Sequence, residues 1–319
     1  MSELEKREQA RKVRFLMKFR CTLCIQLALT TFLFSGCSVK KLAMNQLGDA
    51  LSGGGDVFSS DDDPELVGDA LPFSLKLMES VLSETPEHEG LLTSLASGFT
   101  QYAYGWVQLD ADEIEDDDYD RSVELRERAI KLYKRANRYG MRGLEAKYPG
   151  FGDEFRSNEN AALQRLKAED VELLYWTALA WGGAISLSLD DMDLVGDLAY
   201  VEAMMLRALE LDPDWEMGSI QSFFITYEMS RMNGEGDPVE NATRFYRRAL
   251  DLSKGKLASI YVSYAESVAV DQQDKELFLA TLNKAIEIDV DENPSLRLNN
   301  LLYQRRAKWL LTRLDWLFL

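Results

Sequence analysis

The sequence predicts an all-α protein built from irregular helix-turn-helix repeats that stack as an α-solenoid does. Three observations carry this expectation. From residue 61 onward, apolar residues recur at three- and four-residue spacing and strand signals are nearly absent. Only seven prolines occur in 319 residues, and the breaks between apolar stretches are short and polar. Segment after segment closes on one type of string: VLSETP ends at Pro86, LEAKYP at Pro149, ALELDP at Pro213, ALDLSK at Lys254 and AIEIDV at Val290.

In chain order, residues 1–36 read as a secretory signal. Lys6, Arg7, Arg11, Lys12, Arg14, Lys18 and Arg20 precede 16 mostly apolar residues, Cys21 to Gly36, and Cys37 follows a small pair, Ser35-Gly36. A membrane span is the alternative, since Arg20 to Lys40 encloses 19 residues. Seven of these are polar or small, which counts against it. The mixed charges of the first 16 residues suit a signal poorly, so the translated chain is expected to begin at Met17. Ser35-Gly36-Cys37 resembles a bacterial lipobox, with Phe34 where leucine is more usual. It makes Cys37 the expected lipidation site. Cleavage before Cys37 removes Cys21 and Cys24, so the mature chain has no free thiol for disulfides, nucleophilic catalysis or metal ligation.

Residues 37–60, with Leu51-Ser-Gly-Gly-Gly-Asp56, read as the lipidated cysteine and a flexible tether. A phosphate loop is the sharper reading of these glycines, but no Gly-Lys-Ser/Thr follows. Residues 61–319 read as a single all-α domain. It starts at Asp61-Asp-Asp-Pro-Glu65, with Asp63 as N-cap and Pro64 in the first turn. His88, the lone histidine, sits in an acidic turn and is expected to be solvated. In SGFTQYAYGWV, Phe99, Tyr102 and Trp106 fall at three- and four-residue spacing. Asp110 to Asp120 has the acid density of a calcium loop without its glycine or final glutamate, so a solvated inter-helix loop is expected. Val123, Ile130, Tyr133, Gly140 and Leu144 share one face of a helix over 121–147. LLYWTALAWGGAIS places Trp176 and Trp181 near Gly182-Gly183. Glycine inside a helix costs about 1 kcal/mol relative to alanine, so the pair implies close packing or room for a ligand. The apolar end, Trp309 to Leu319, reads as core, oligomer contact or tail, and Arg313 and Asp315 make it a poor membrane span.

The helix-closing strings recur at intervals of 63, 64, 41 and 36 residues. The last two lie near the tetratricopeptide period of about 34, and the first two lie near its double. Ala208, Ala249 and Ala285 sit where second helices of such units pack closely, so tetratricopeptide-like repeats of uneven length are expected.

The chain carries 36 basic and 54 acidic residues, and loss of residues 1–36, with seven basic and three acidic, leaves a net charge of −22. So acidic a body disfavours nucleic acid and anionic membrane surfaces as partners. One histidine and no G-x-S-x-G leave no metal pair and no triad, and no pair of carboxylates stands out for catalysis. A protein that is not an enzyme, with no cofactor and no metal, is the expectation.

SVKKLAMNQLGDALSGGG after the lipobox, DDDPELVGDALPF, LLTSLASGFTQYAYGWVQ and LYWTALAWGGAISLS together resemble the T component of the tetratricopeptide-repeat-associated TRAP transporters, the TatT family, over most of residues 37–310. The resemblance implies a periplasmic lipoprotein with irregular repeats, forming a homotrimer. It implies docking of a TRAP-type solute-binding protein, the P component, beside a hydrophobic tunnel for a small organic ligand. Membrane attachment would be through the lipid only, and Ser38 after the cysteine favours the outer membrane. Phe99, Tyr102, Trp106, Trp176 and Trp181 are the residues expected to line the tunnel. The alternative from another class is a repeat-type scaffold lipoprotein in outer-membrane assembly, and third is an enzyme acting on the cell wall.

Overall fold

The computed structural model describes Arg11, Arg14, Met17 and residues 40–319 apart from 232, 233 and 235. Cys37 and most of the expected signal therefore lie outside the described residues. The chain divides into residues 1–47, of which 40–47 are helical, and a compact unit of residues 48–319. The structure is 81% helical, with no strand among the described residues.

In the second unit, residues 48–52 are helical and precede α1 (Gly55–Ser59), α2 (Pro64–Glu84) and α3 (Glu89–Tyr102). A π-helical segment, Ala103–Gln108, joins α3 to α4 (Leu109–Ile114). Next come α5 (Tyr119–Lys147), α6 (Phe151–Ser157), α7 (Glu159–Gln164), α8 (Val171–Ser186), α9 (Met192–Gly196) and α10 (Leu198–Leu211). The rest comprises α11 (Ser219–Ser230), α12 (Pro238–Ser253), α13 (Ala258–Tyr264), a second π segment (Ala265–Ala269), α14 (Lys275–Ile286), α15 (Arg297–Leu311) and α16 (Leu314–Leu317).

Helix starts follow the aspartates. Asp63, Asp118, Asp191, Asp237 and Asp274 each accept a first-turn backbone N–H, as does Asn158. Each satisfies a donor that has no partner inside its helix. His88 does the same for α3: its Nδ1 accepts from Leu91 N at 3.2 Å while Nε2 lies 3.2 Å from Asp49. It is a half-buried cap and not the solvated turn residue expected. All five repeat strings close a helix, at Glu84, Lys147, Leu211, Ser253 and Ile286, and Ala208, Ala249 and Ala285 have no exposed surface.

Two local expectations differ from the structure. The buried stripe of α5 is Ser122, Leu125, Ala129, Tyr133, Ala136, Gly140, Gly143 and Leu144, so three of the five expected residues lie on it, whereas Val123 is exposed and Ile130 half-buried. Close approach of α3 and α8 to α5 selects small side chains, so size marks the contact face better than hydrophobicity. Within the expected tether, α1 packs its Phe58 against α2 and α15, and Ser52 O accepts from Ser94 Oγ at 3.4 Å. The apolar C-terminus joins a core: Phe318 lies 5.0 Å from Phe278, and Leu314 and Leu317 pack beside them.

Helices pack on their sequence neighbours, α2 on α3, α3 on α5, α5 on α8, α8 on α10, and α11 with α12 through α13 and α14 to α15. The last long helix, α15, then returns to α1 and α2. The unit is therefore a row of helical repeats closed on itself, where an ordinary solenoid leaves its two ends apart.

Candidate functional site

The closure brings residues from opposite ends of the chain together. Val67 and Leu71 of α2 meet Leu298 and Leu302 of α15, with Tyr102 and Trp106 packed against them. The Trp106 indole N–H donates to Pro64 O at 2.7 Å. Gly68 makes room for that ring, because a Cβ there would lie 2.3 Å from Trp106 Cδ1. Arg297 at the start of α15 donates to Ser60 O at 2.7 Å. The π segment adds a residue to the turn and so re-aims Tyr104 and Gly105 toward α15, where Tyr104 meets Tyr303 with ring centroids 5.3 Å apart.

Beside this seam the acidic segment finds its partners within the chain. Arg305 reaches Asp110 at 2.7 Å and Glu113 at 2.6 Å. Arg306 reaches Asp112 at 2.8 Å and Glu266, in the second π segment, at 2.7 Å. Arg126 bonds Glu115 at 2.7 Å and shares Asp112 at 3.3 Å, and Arg313 pairs with Asp116. The hydrogen bond from Arg126 holds the Glu115 carboxyl below its ordinary value, and that from Arg313 does so for Asp116. Burial works against charge on Arg306, yet Glu266 keeps its pKa raised. The expectation of a solvated loop holds for the exposed turn at 116–118 and is corrected for residues 109–114, which are helical and whose carboxylates tie α4 to α15.

Inward of the seam, four phenols from four elements face one another electrostatically. Burial raises the Tyr104 pKa well above its ordinary value, with Tyr303 and Glu266 reinforcing it. Tyr303 is pushed up to about 12, first by burial. Tyr133 of α5 and Tyr175 of α8 are raised by burial and then by Tyr303. All four stay neutral near pH 7 and can give or take hydrogen bonds. Tyr133 donates to Gln108 Oε1 at 2.7 Å, and Tyr175 lies between Trp176 at 5.2 Å and Trp215 at 4.4 Å. Tyr104 and Tyr303 are both half-buried. On α8, partial burial and then Glu216 raise the Glu172 carboxyl, although the residue as a whole is exposed.

The residues singled out in the sequence fall into three groups. Phe99 is 4% exposed and is stacked 5.9 Å from Tyr139, with Arg135 4.8 Å above its ring. Tyr102 accepts from Arg128 at 3.1 Å and stacks on Trp106 at 6.1 Å, in the closure seam. Trp176 and Trp181 lie half-buried on α8, Trp181 being 5.8 Å from Tyr200. Tyr104 and Tyr175 belonged to the aromatic stretches already noted and Tyr133 to the apolar face of α5, but Tyr303 carried no local signal. A shallow depression along α12, lined by residues such as Asp237, Arg244 and Asp251, is open to solvent and involves none of these residues.

Among the described residues no helix is long and apolar enough to cross a membrane, and no cluster of three or more His, Cys, Asp or Glu residues could hold a metal. The family model described as TRAP transporter T-component matches residues 60–318. A protein of Treponema pallidum (strain Nichols), described only as uncharacterized, is 29% identical over 308 residues, covering 90% of this chain and 94% of its own length.

Proposed function

The chain belongs to the TRAP transporter T-component family, an accessory component of a transporter with a periplasmic association, and on that premise we propose that it docks the solute-binding P component and offers its ligand an interior passage. The half-buried pair of Tyr104 and Tyr303 where the row of helices closes is the observation that supports this reading. In this reading Trp176 and the phenols of Tyr133 and Tyr175 would border the passage, which would suit a small organic ligand with apolar surface and a few hydrogen-bonding groups. Phe99, Tyr102, Trp106 and Trp181 would support that wall from behind or at its edges. Lipidation at Cys37 would hold the protein at a membrane, and a homotrimer would be the working form.

Two measurements test the proposal. Periplasmic extract passed over the full chain should yield a TRAP-type solute-binding protein; outer-membrane assembly proteins in its place would mean a scaffold. Tyr303→Trp should lower uptake of an apolar fluorescent probe such as 1-anilinonaphthalene-8-sulfonate while leaving the thermal midpoint within about 2 °C. Unchanged uptake with a lowered midpoint would make Tyr303 core alone.

A further inference from the structure

Between Arg128 and Arg142, α5 carries six basic residues and no carboxylate, in a chain of net charge −18. Arg128, Lys131, Arg135, Arg138 and Arg142 follow one another at steps of three and four, so they form one stripe on the helix. At 1.5 Å per residue it runs about 21 Å. Arg128, Lys131, Arg138 and Arg142 are exposed. Lys134 lies half-buried beside them.

Three of these arginines are braced on aromatic faces: Arg128 over Tyr102 at 5.5 Å, Arg135 over Phe99 at 4.8 Å and Arg142 over Tyr139 at 5.4 Å. Arg128 also donates to the Tyr102 hydroxyl, Arg142 to Pro86 O at 3.2 Å, and Arg135 pairs with Glu79. Stacking fixes a planar guanidinium and leaves most of its five donors for another molecule. Side chains already held in place lose less entropy on binding, and such arginines suit carboxylates.

We infer that this stripe is a docking surface for a protein face rich in carboxylates. Resting on the function proposed above, its partner is an acidic face of the solute-binding component. In an acidic protein the stripe is a local reversal of sign, so it admits an acidic partner in one orientation and repels it elsewhere. A flat anionic membrane fits less well, because exposed Glu124 and Glu127 precede the stripe and exposed Glu145 follows it on the same helix. A second copy of this chain fits less well too, since its densest acidic segment is engaged by its own Arg126, Arg305, Arg306 and Arg313.

The test is the equilibrium affinity of the full chain for the solute-binding component, over a salt series, for the wild type, for Lys131→Glu with Arg138→Glu, and for Arg247→Glu. Arg247 is exposed on α12, away from the stripe. The double variant should bind about tenfold or more weakly with a flatter salt dependence, while Arg247→Glu matches the wild type. Equal weakening by both would reduce the effect to net charge and overturn the inference. So would wild-type affinity in the double variant, or a loss confined to self-association or to phosphatidylglycerol vesicles. If the wild type itself does not bind, the docking function fails first, a result distinct from a wild type that binds with the stripe irrelevant.

Discussion

Gly182 and Gly183 are neighbours in α8, yet alanine at the two positions should act in opposite directions. At Gly182 an added Cβ would lie 3.6 Å from Val201 Cγ1 and 3.8 Å from Phe223 Cε2, ordinary van der Waals distances. Alanine there gains helix propensity of about 0.8–1 kcal/mol and some packing, so Gly182→Ala should stabilise by about 1 kcal/mol. At Gly183 the same atom would meet three atoms of the Tyr133 ring, Cε1, Cδ1 and Cζ, at 2.8, 2.9 and 2.9 Å. The ring is 3% exposed and its hydroxyl is held by Gln108 at 2.7 Å, so it has little room to retreat. Overpacking of this kind costs about 1–3 kcal/mol, and after the propensity gain Gly183→Ala should destabilise by up to about 2 kcal/mol. Urea denaturation followed by circular dichroism measures both, and at about 2–4 °C per kcal/mol thermal midpoints should separate in the same order. Equal shifts of one sign in the two variants would refute the packing account of the glycine pair.

Three further outcomes follow from the seam and its supports. Arg306→Ala should cost about 1.5–3 kcal/mol, because Glu266 would lose its cation in a half-buried site and Asp112 would keep only Arg126, and a loss under about 0.5 kcal/mol in urea titration would contradict the clasp. Trp106→Phe should cost about 1–2 kcal/mol by leaving Pro64 O without the indole donor, and unchanged stability would show that water replaces it. Burial pushes the Asp170 pKa up, but bonds from Lys147 at 2.7 Å, Tyr148 at 2.6 Å and Lys167 N at 2.8 Å outweigh it and leave it below the ordinary 3.8. A carboxyl depressed on folding contributes stability above its unfolded pKa and loses it as pH falls through the folded value. Asp170→Asn should therefore destabilise by about 2–3 kcal/mol at pH 7 and flatten the stability loss below about pH 4, as read from denaturation at stepped pH. A parallel acid limb in the variant would exclude this carboxyl as a source.

Much of the helical skeleton was legible because its signals are local. Asp63 and Pro64 mark the start of α2 in four consecutive residues, and the strings ending near Pro86, Pro149, Pro213, Lys254 and Val290 each sit at a helix end. The contact face of α5 was half legible: Tyr133, Gly140 and Leu144 are buried, but Ser122 and Ala129 gave no apolar signal. The aromatic stretches stand out in the sequence, yet their division among seam, arginine platform and the core around α8 could not be read from spacing. Phe99 and Tyr102 carry arginines of α5 on their faces, and those arginines are 26 to 36 residues further along the chain.

By itself the sequence determined the all-α class, the helix ends, the acidic body and the family, since caps, periodicity and characteristic strings act within a few residues of one another. Tertiary structure alone decided that the row of repeats closes. Arg305 meets Asp110 from 195 positions away and Arg297 meets Ser60 from 237, and a period of 3.6 residues holds no information at that range. Tyr104 meets Tyr303 from 199 positions away for the same reason, and no local pattern in the chain could have paired them.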